Sequence, residues 1–278
     1  MPLIDVSTRE VMSLDSFCDW VDAQDPKRLS DIGQWPELWQ RLYALHNTKN
    51  LVSAFLKEQL NGDLASFQED NRYSGQTFIL ARRPGFYLRV NLWPAASDAL
   101  ARLDQQHFNK FYVYGDRYAH DHNFDFLTIG LHGPGYQTDL WSYDNASVTG
   151  SIGEQVQLTS NGRQRLAPGT MLLFRKGVDI HTQLAPEALS VSLNFIPEVS
   201  PISEQYLFDV HTGRIASIED LFPRARNMEV LVSELGDASV TEAFHRMTHE
   251  RALQAQARRE QRALHSRNYP ATTTCPED

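Results

Sequence analysis

Tyr118-Ala119-His120-Asp121-His122-Asn123-Phe124-Asp125-Phe126 is the stretch on which the fold and the chemistry turn. Residues two apart on a strand project to the same face about 7 Å apart, so the imidazoles of His120 and His122 can converge on one ion. The same alternation puts Phe124 and Phe126 with the histidines and sends Asp121 and Asp125 to the opposite face. No carboxylate of this segment then completes a set of two histidines and one carboxylate, and a third ligand must come from another strand. His181 is the candidate: it follows the turn Pro168-Gly169, a strand-like run and a second turn at Lys176-Gly177. Three neutral imidazoles with open positions suit Fe(II) best and could also hold Zn, Cu, Ni or Mn.

Outward from this stretch the chain keeps a period of two. Thr77 to Arg82 and Phe86 to Trp93 flank the turn signal Arg83-Pro84-Gly85 and read as a hairpin. Further strand-like runs follow at Phe111–Tyr114, Phe124–Leu131, Tyr136–Tyr143, Gln155–Thr159, Met171–Arg175, Leu189–Ile196 and Tyr206–Val210. Turns are expected at Gly133-Pro134-Gly135, Asn161-Gly162, Pro168-Gly169 and Thr212-Gly213, with a helix at Ser97–His107. Many short strands without helices between them predict a mainly β fold, a barrel or double-sheet jelly roll over about residues 76–216.

Helices flank this barrel. Residues 1–75 read as a helical flank packed on the sheet, with Ser13 as a cap ahead of Leu14, Phe17 and Val21. Pro36 sits in a first helical turn, and Trp35, Leu38, Trp39, Leu42 and Leu45 continue the pattern; a third helix from Asn47 turns Leu51, Phe55 and Leu60 inward and ends before Gly62. Residues 217–269 return to helix, with Val240, Phe244 and Met247 on one face and a solvated basic run beyond, and 270–278 read as a disordered tail.

Composition narrows the function. The 278 residues carry a net charge of −9, with 22% charged and 41% hydrophobic residues. That balance suits a globular protein and argues against nucleic-acid binding, which draws its affinity from clustered Lys and Arg. A small-molecule or peptide partner is expected instead. Two cysteines, Cys18 and Cys275, cannot build a disulfide framework or a Cys-rich zinc site. With no secretory leader pattern and no run of about 18 apolar residues, a cytoplasmic protein that does not enter the membrane is expected.

The order of the histidines, two on one strand and a third after a later turn, is the order in which the cupin superfamily supplies its metal ligands. The cupin barrel, a double-stranded β-helix or jelly roll, is therefore the expected fold. Within that superfamily the chain resembles the cysteine dioxygenase family of thiol dioxygenases, three-His iron cupins, over about residues 87–197. Four blocks carry the resemblance: Tyr87-Leu88-Arg89; His120-Asp121-His122 followed by Phe126-Leu127-Thr128-Ile129 and Gly133; His181; and Ser190-Val191-Ser192-Leu193. It implies that His120, His122 and His181 bind iron and that Arg89, with Tyr87 in the same strand, clamps a substrate carboxylate, a task for a planar guanidinium. The chain departs from the family where it has Asn194 and Ile196 in place of a His and a catalytic Tyr, and Leu127 near the place of a Cys that can crosslink to that Tyr. Free cysteine is therefore not the expected substrate.

The expected function is that of a non-haem Fe(II) oxygenase using dioxygen on an amino-acid-like small molecule or peptide side chain, with Arg89, Tyr87 and Asn194 as candidate active-site residues. The alternatives are a metal-dependent cupin isomerase or lyase and a non-enzymatic ligand sensor. Asn91, Trp93, Tyr112, Tyr114, Tyr136 and Trp141 are further pocket candidates. His245 and His249 are spaced i, i+4 but lack the Glu of a zinc-protease helix, and His132 is a turn residue.

Overall fold

A computed structural model describes residues 3–60, 68, 71, 76–95, 97, 119–148, 150–198, 204–220, 231–232, 234–244 and 246. The helix expected at Ser97–His107, the strand at Phe111–Tyr114, Gly62, His249, Cys275 and the tail from 270 fall wholly or almost wholly outside them.

Three helices come first: α1 (Leu14–Asp22), α2 (Pro36–His46) and α3 (Leu51–Leu60). Ser13 caps α1 as expected, its hydroxyl accepting the Ser16 N–H at 3.1 Å, and satisfies one of the donors a helix start leaves open. Between α1 and α2, Pro26–Gln34 forms 3-10 turns that hydrophobic periodicity does not reveal; they break at Asp31 and bury Leu29 and Ile32.

Among the described residues, twelve strands make two antiparallel sheets: β1 (Leu3–Ile4), β2 (Thr77–Arg83), β3 (Phe86–Trp93), β4 (Ala119–His120), β5 (Phe126–His132), β6 (Gln137–Ser142), β7 (Thr159–Arg165), β8 (Met171–Phe174), β9 (Asp179–Leu184), β10 (Ser190–Pro197), β11 (Glu204–Asp209) and β12 (Arg214–Asp220). One sheet runs β1-β8-β5-β10-β3-β2 and the other β12-β11-β4-β9-β6-β7. The eight strands β3 to β10 thus give β8-β5-β10-β3 on one side and β4-β9-β6-β7 on the other. This is the interleaved double-sheet order of a jelly roll, the architecture of cupins.

Alternation sorts the side chains into three layers. The outer face of the first sheet, with Leu88, Val90, Leu127, Ile129, Leu193 and Phe195, packs on Phe17, Leu38, Leu42 and Leu45 of α1 and α2. Each such leucine, fully buried, contributes about 2 kcal/mol. Between the sheets lie Trp93, Phe126, Tyr136, Leu140, Phe174 and Ile196. Ala119, Tyr143, Ile180, Tyr206 and Phe208 cover the outer face of the second sheet.

Two sequence expectations fail at one place. Asn161-Gly162 does not turn the chain; it lies inside β7, where Gly162 has φ 77° and the pairing with β6 slips between Leu140 and Trp141. A glycine at positive φ in a slipped antiparallel pair makes a bulge, which local composition cannot distinguish from a hairpin turn. Nor is Gln155–Thr159 a strand: Gln155 forms a lone bridge to Arg214 and its side chain binds Thr212 O and Gly213 O. The segment is held by the β11–β12 turn, and regular pairing starts at Thr159. The Gly133-Pro134-Gly135 turn forms as expected, with both glycines at positive φ; a Cβ on Gly135 would collide with Leu166 O. No helix among the described residues is long and apolar enough to cross a membrane.

Candidate metal centre

His120 is the last residue of β4 and pairs directly with His181 on β9. His122 follows two residues later, where its carbonyl accepts the Gly177 N–H at 2.8 Å. All three rings face the barrel interior, with centroids 4.6 to 4.9 Å apart. One nitrogen from each of the three lies within 4.8 Å of the others, and His122 Nε2 and His181 Nε2 are 2.9 Å apart.

This spacing fits a metal. Two nitrogens each about 2.1 Å from one ion and at right angles to each other lie about 3 Å apart. His122 and His181 are buried and His120 is partly exposed. Burial pushes the pKa of His122 well below the usual imidazole value, with His120, His181 and Arg89 adding to the effect as nearby positive charges. Burial does the same for His181, aided by His120. Both imidazoles are held neutral, the form that ligates. The Nδ1 of His181 is buried without a hydrogen-bond partner among the described residues.

The aspartates lie where strand parity puts them. Asp121 points to the outer face, fully buried, accepting the Tyr143 hydroxyl at 2.6 Å and the Tyr206 N–H at 2.7 Å. Asp125 accepts the Lys176 N–H at 2.7 Å and pairs with the Lys176 ammonium. Neither carboxylate is left for the histidines. Around them stand Phe124, Phe126 and Phe174, the last with its ring 4.5 Å from that of His181.

The facing sheet contributes the polar side of the interior. Arg89 and Asn194 are both buried and are cross-strand partners on β3 and β10. Asn194 Oδ1 accepts the Thr128 hydroxyl at 2.6 Å, which leaves the amide NH₂ as the donor that residue offers. Tyr87 pairs with Ile196 on the same face, but Arg82 stacks over its ring at 4.8 Å. Asn91 accepts the Thr77 hydroxyl, and Trp93 donates to Ser192 Oγ at 2.9 Å beside Tyr136. Trp141 does not line the interior: it pairs with Ile180 and packs with the outer cluster, because the inward residue of that stretch is Leu140, opposite His181. His132 is exposed, and Tyr112 and Tyr114 lie outside the described residues.

Sequence reasoning missed a polar interior residue beside the histidines. Gln183, two residues after His181 on β9, is buried with its amide 3.4 Å from His181 Nε2. The parity that picked out His120 and His122 would have found it once His181 was placed on a strand.

No family model and no curated protein sequence matches the chain. Solved structures similar to it include hydroquinone 1,2-dioxygenase from Sphingomonas sp. TTNP3, at 12% identity and a TM-score of 0.27 over 46% of this chain and 68% of that one. The DMSP lyase DddQ from Ruegeria pomeroyi DSS-3 is 12% identical with a TM-score of 0.26, over 57% of each chain. A cupin-2 domain protein from Shewanella frigidimarina NCIMB 400 is also 12% identical, with a TM-score of 0.24 over 51% of this chain and 99% of that one. Likenesses this loose carry nothing about activity, and the strand order and the histidine geometry stand on their own.

Proposed function

We propose that this chain is a non-haem Fe(II)-dependent oxygenase acting on an amino-acid-like small molecule or peptide side chain that bears a carboxylate. One observation carries the reading: three converging imidazoles, on β4, just after it and on β9, share the barrel interior with buried Arg89 on the facing sheet. His120, His122 and His181 hold the metal, which supplies the electrons that activate dioxygen.

The remaining roles belong to the chain itself. Arg89 receives the substrate carboxylate through two parallel N–H bonds, a geometry that positions as well as attracts. Asn194, oriented by Thr128, offers its amide NH₂ to the same substrate. The wall of Phe124, Phe126 and Phe174 excludes water from the histidines. Ile196 brings no acidic hydroxyl to the interior, so the resemblance to the thiol dioxygenases covers the metal and the clamp but not their proton donor.

The test is metal analysis of protein purified without chelator, followed by an oxygen-electrode screen of amino acids, their thiol and hydroxy derivatives, and short peptides with the Fe(II)-loaded form. The expected result is about one iron per chain and oxygen uptake with a carboxylate-bearing substrate. Stoichiometric zinc with product formed in the absence of oxygen uptake would replace this reading with a metal-dependent isomerase or lyase.

A further inference from the structure

We infer that Gln183 is a fourth ligand of the histidine site, binding the metal through its amide oxygen. The inference rests on the reading of His120, His122 and His181 as a metal site and extends it to a residue that is not His, Cys, Asp or Glu.

The geometry comes first. Gln183 shares the inward face of β9 with His181, and the end of its side chain lies 3.4 Å from His181 Nε2. That same nitrogen is 2.9 Å from His122 Nε2. Donor atoms about 2.1 Å from one ion lie roughly 3.0 to 3.4 Å from each other in octahedral or tetrahedral arrangements. The amide end therefore sits at ligand spacing from the nitrogen at the heart of the cluster. The contact as it stands, an amide nitrogen against an imidazole nitrogen, is a long and weak hydrogen bond. The nitrogen and oxygen of a glutamine side chain exchange places by rotation about χ3, and the hydrogen-bond surroundings decide which end points where. A cation among the three imidazoles repels the NH₂ end and attracts the carbonyl oxygen.

Burial adds the second observation. Gln183 is only 8% exposed, and its cross-strand partner on β6 is Thr138, which is fully buried with a hydroxyl that has no hydrogen-bond partner among the described residues. A buried polar group left unpaired is costly, and the great majority find a partner. With the carbonyl turned to the ion, the amide NH₂ needs an acceptor on that side of β9, and the Thr138 hydroxyl is the group the register provides. Thr138 is then a positioning residue that holds the amide in its ligating orientation, in the way outer partners orient metal-bound groups. The remaining open positions of the ion are left for substrate and oxygen.

The experiment titrates Co(II) into metal-free full-length protein and reads both the Kd and the visible d–d bands, which report ligand number and type without any turnover. Wild type is compared with Gln183→Ala, Gln183→Glu, Thr138→Val, the Gln183→Ala/Thr138→Val double variant and His181→Ala, with circular dichroism confirming that each is folded. Gln183→Ala should weaken Co(II) binding about tenfold or more and change the band intensities, whereas Gln183→Glu, which keeps an oxygen donor, should bind at least as tightly as wild type. Thr138→Val should weaken binding in the wild-type background and have no further effect when Gln183 is already Ala. Unchanged Kd and bands for Gln183→Ala, with binding lost in His181→Ala, would overturn the fourth ligand and leave the three-histidine site standing. Failure of the folded wild type to bind Co(II) would overturn both. Should Gln183→Ala not fold, Gln183→Glu decides: a spectrum identical to wild type in position and intensity would overturn the assignment, because a charged carboxylate in place of an amide ligand must alter the bands.

Discussion

His120 and His181, 61 residues apart in sequence, face each other as the paired residues of β4 and β9, with ring centroids 4.6 Å apart. Cross-strand partners share one face, so this pairing brings the third imidazole to the two that the His-x-His spacing supplies. Replacing His181 with Ala leaves two imidazoles, one at the end of β4 and one in the chain that follows it. Metal occupancy, read by atomic emission on protein purified without chelator, should fall to a small fraction of wild type. Full stoichiometric metal in His181→Ala would remove it from the ligand set.

Arg89 is buried against Asn194 rather than exposed on its hairpin. Arg89→Lys keeps the charge but loses the planar fork, so KM for a carboxylate-bearing substrate should rise by about tenfold or more, a loss of about 1.4 kcal/mol in binding, while metal content stays as in wild type. Kinetics indistinguishable from wild type would take Arg89 out of the substrate site.

Asn194 and Ile196 face the interior, where the sequence resemblance to the thiol dioxygenases would require a His and a Tyr. An amide and an aliphatic group cannot supply the acidic hydroxyl of that pair. Fe(II)-loaded protein in air should therefore produce little or no cysteine sulfinic acid from free cysteine, measured by mass spectrometry. Turnover on the order of 1 s⁻¹ or faster would show the pair to be dispensable.

Asp121, between the two histidines of the motif, is fixed from the outer face by Tyr143, whose hydroxyl also accepts from Asn145 Nδ2 at 2.7 Å. Tyr143→Phe deletes one of the charge-assisted bonds that hold a fully buried carboxylate. Urea denaturation should register a loss of about 2 kcal/mol. A loss below about 0.5 kcal/mol would mean that water or a neighbour replaces the hydroxyl.

Cys18 is buried on α1, and its thiol pKa is pushed up from 9.0 to about 11, chiefly by burial; Arg83 opposes the shift, and Asp22, Asp15 and Asp19 add to it. In a Cys275→Ser background, labelling of the native protein by a disulfide reagent at pH 8 should run about a hundredfold slower than that of the urea-unfolded chain, since only the thiolate reacts. The folded state holds this proton more tightly than the unfolded one. The stability linked to it is intact below about pH 9 and is lost as pH rises through about 11. Equal labelling rates in the folded and unfolded protein would contradict the burial of Cys18.

The sequence alone determined what depends on local period and on neighbours along the chain. Alternation set His120 and Asp121 on opposite faces and put Asn194 and Ile196 on one face of β10; the chain leaves regular strand after His120, so the loop that runs to β5 placed His122 and Asp125. Ser13 was likewise legible as a cap, and Leu38, Leu42 and Leu45 as a buried stripe. The tertiary structure alone decided which strands meet. The pairing of β4 with β9, the placement of Arg89 opposite the histidines, and the interleaved order of the two sheets arise from burying inner faces contributed by distant segments. The Gly162 bulge belongs to the same class: it depends on register between β6 and β7, which is set by packing across the barrel and leaves no mark in any one segment.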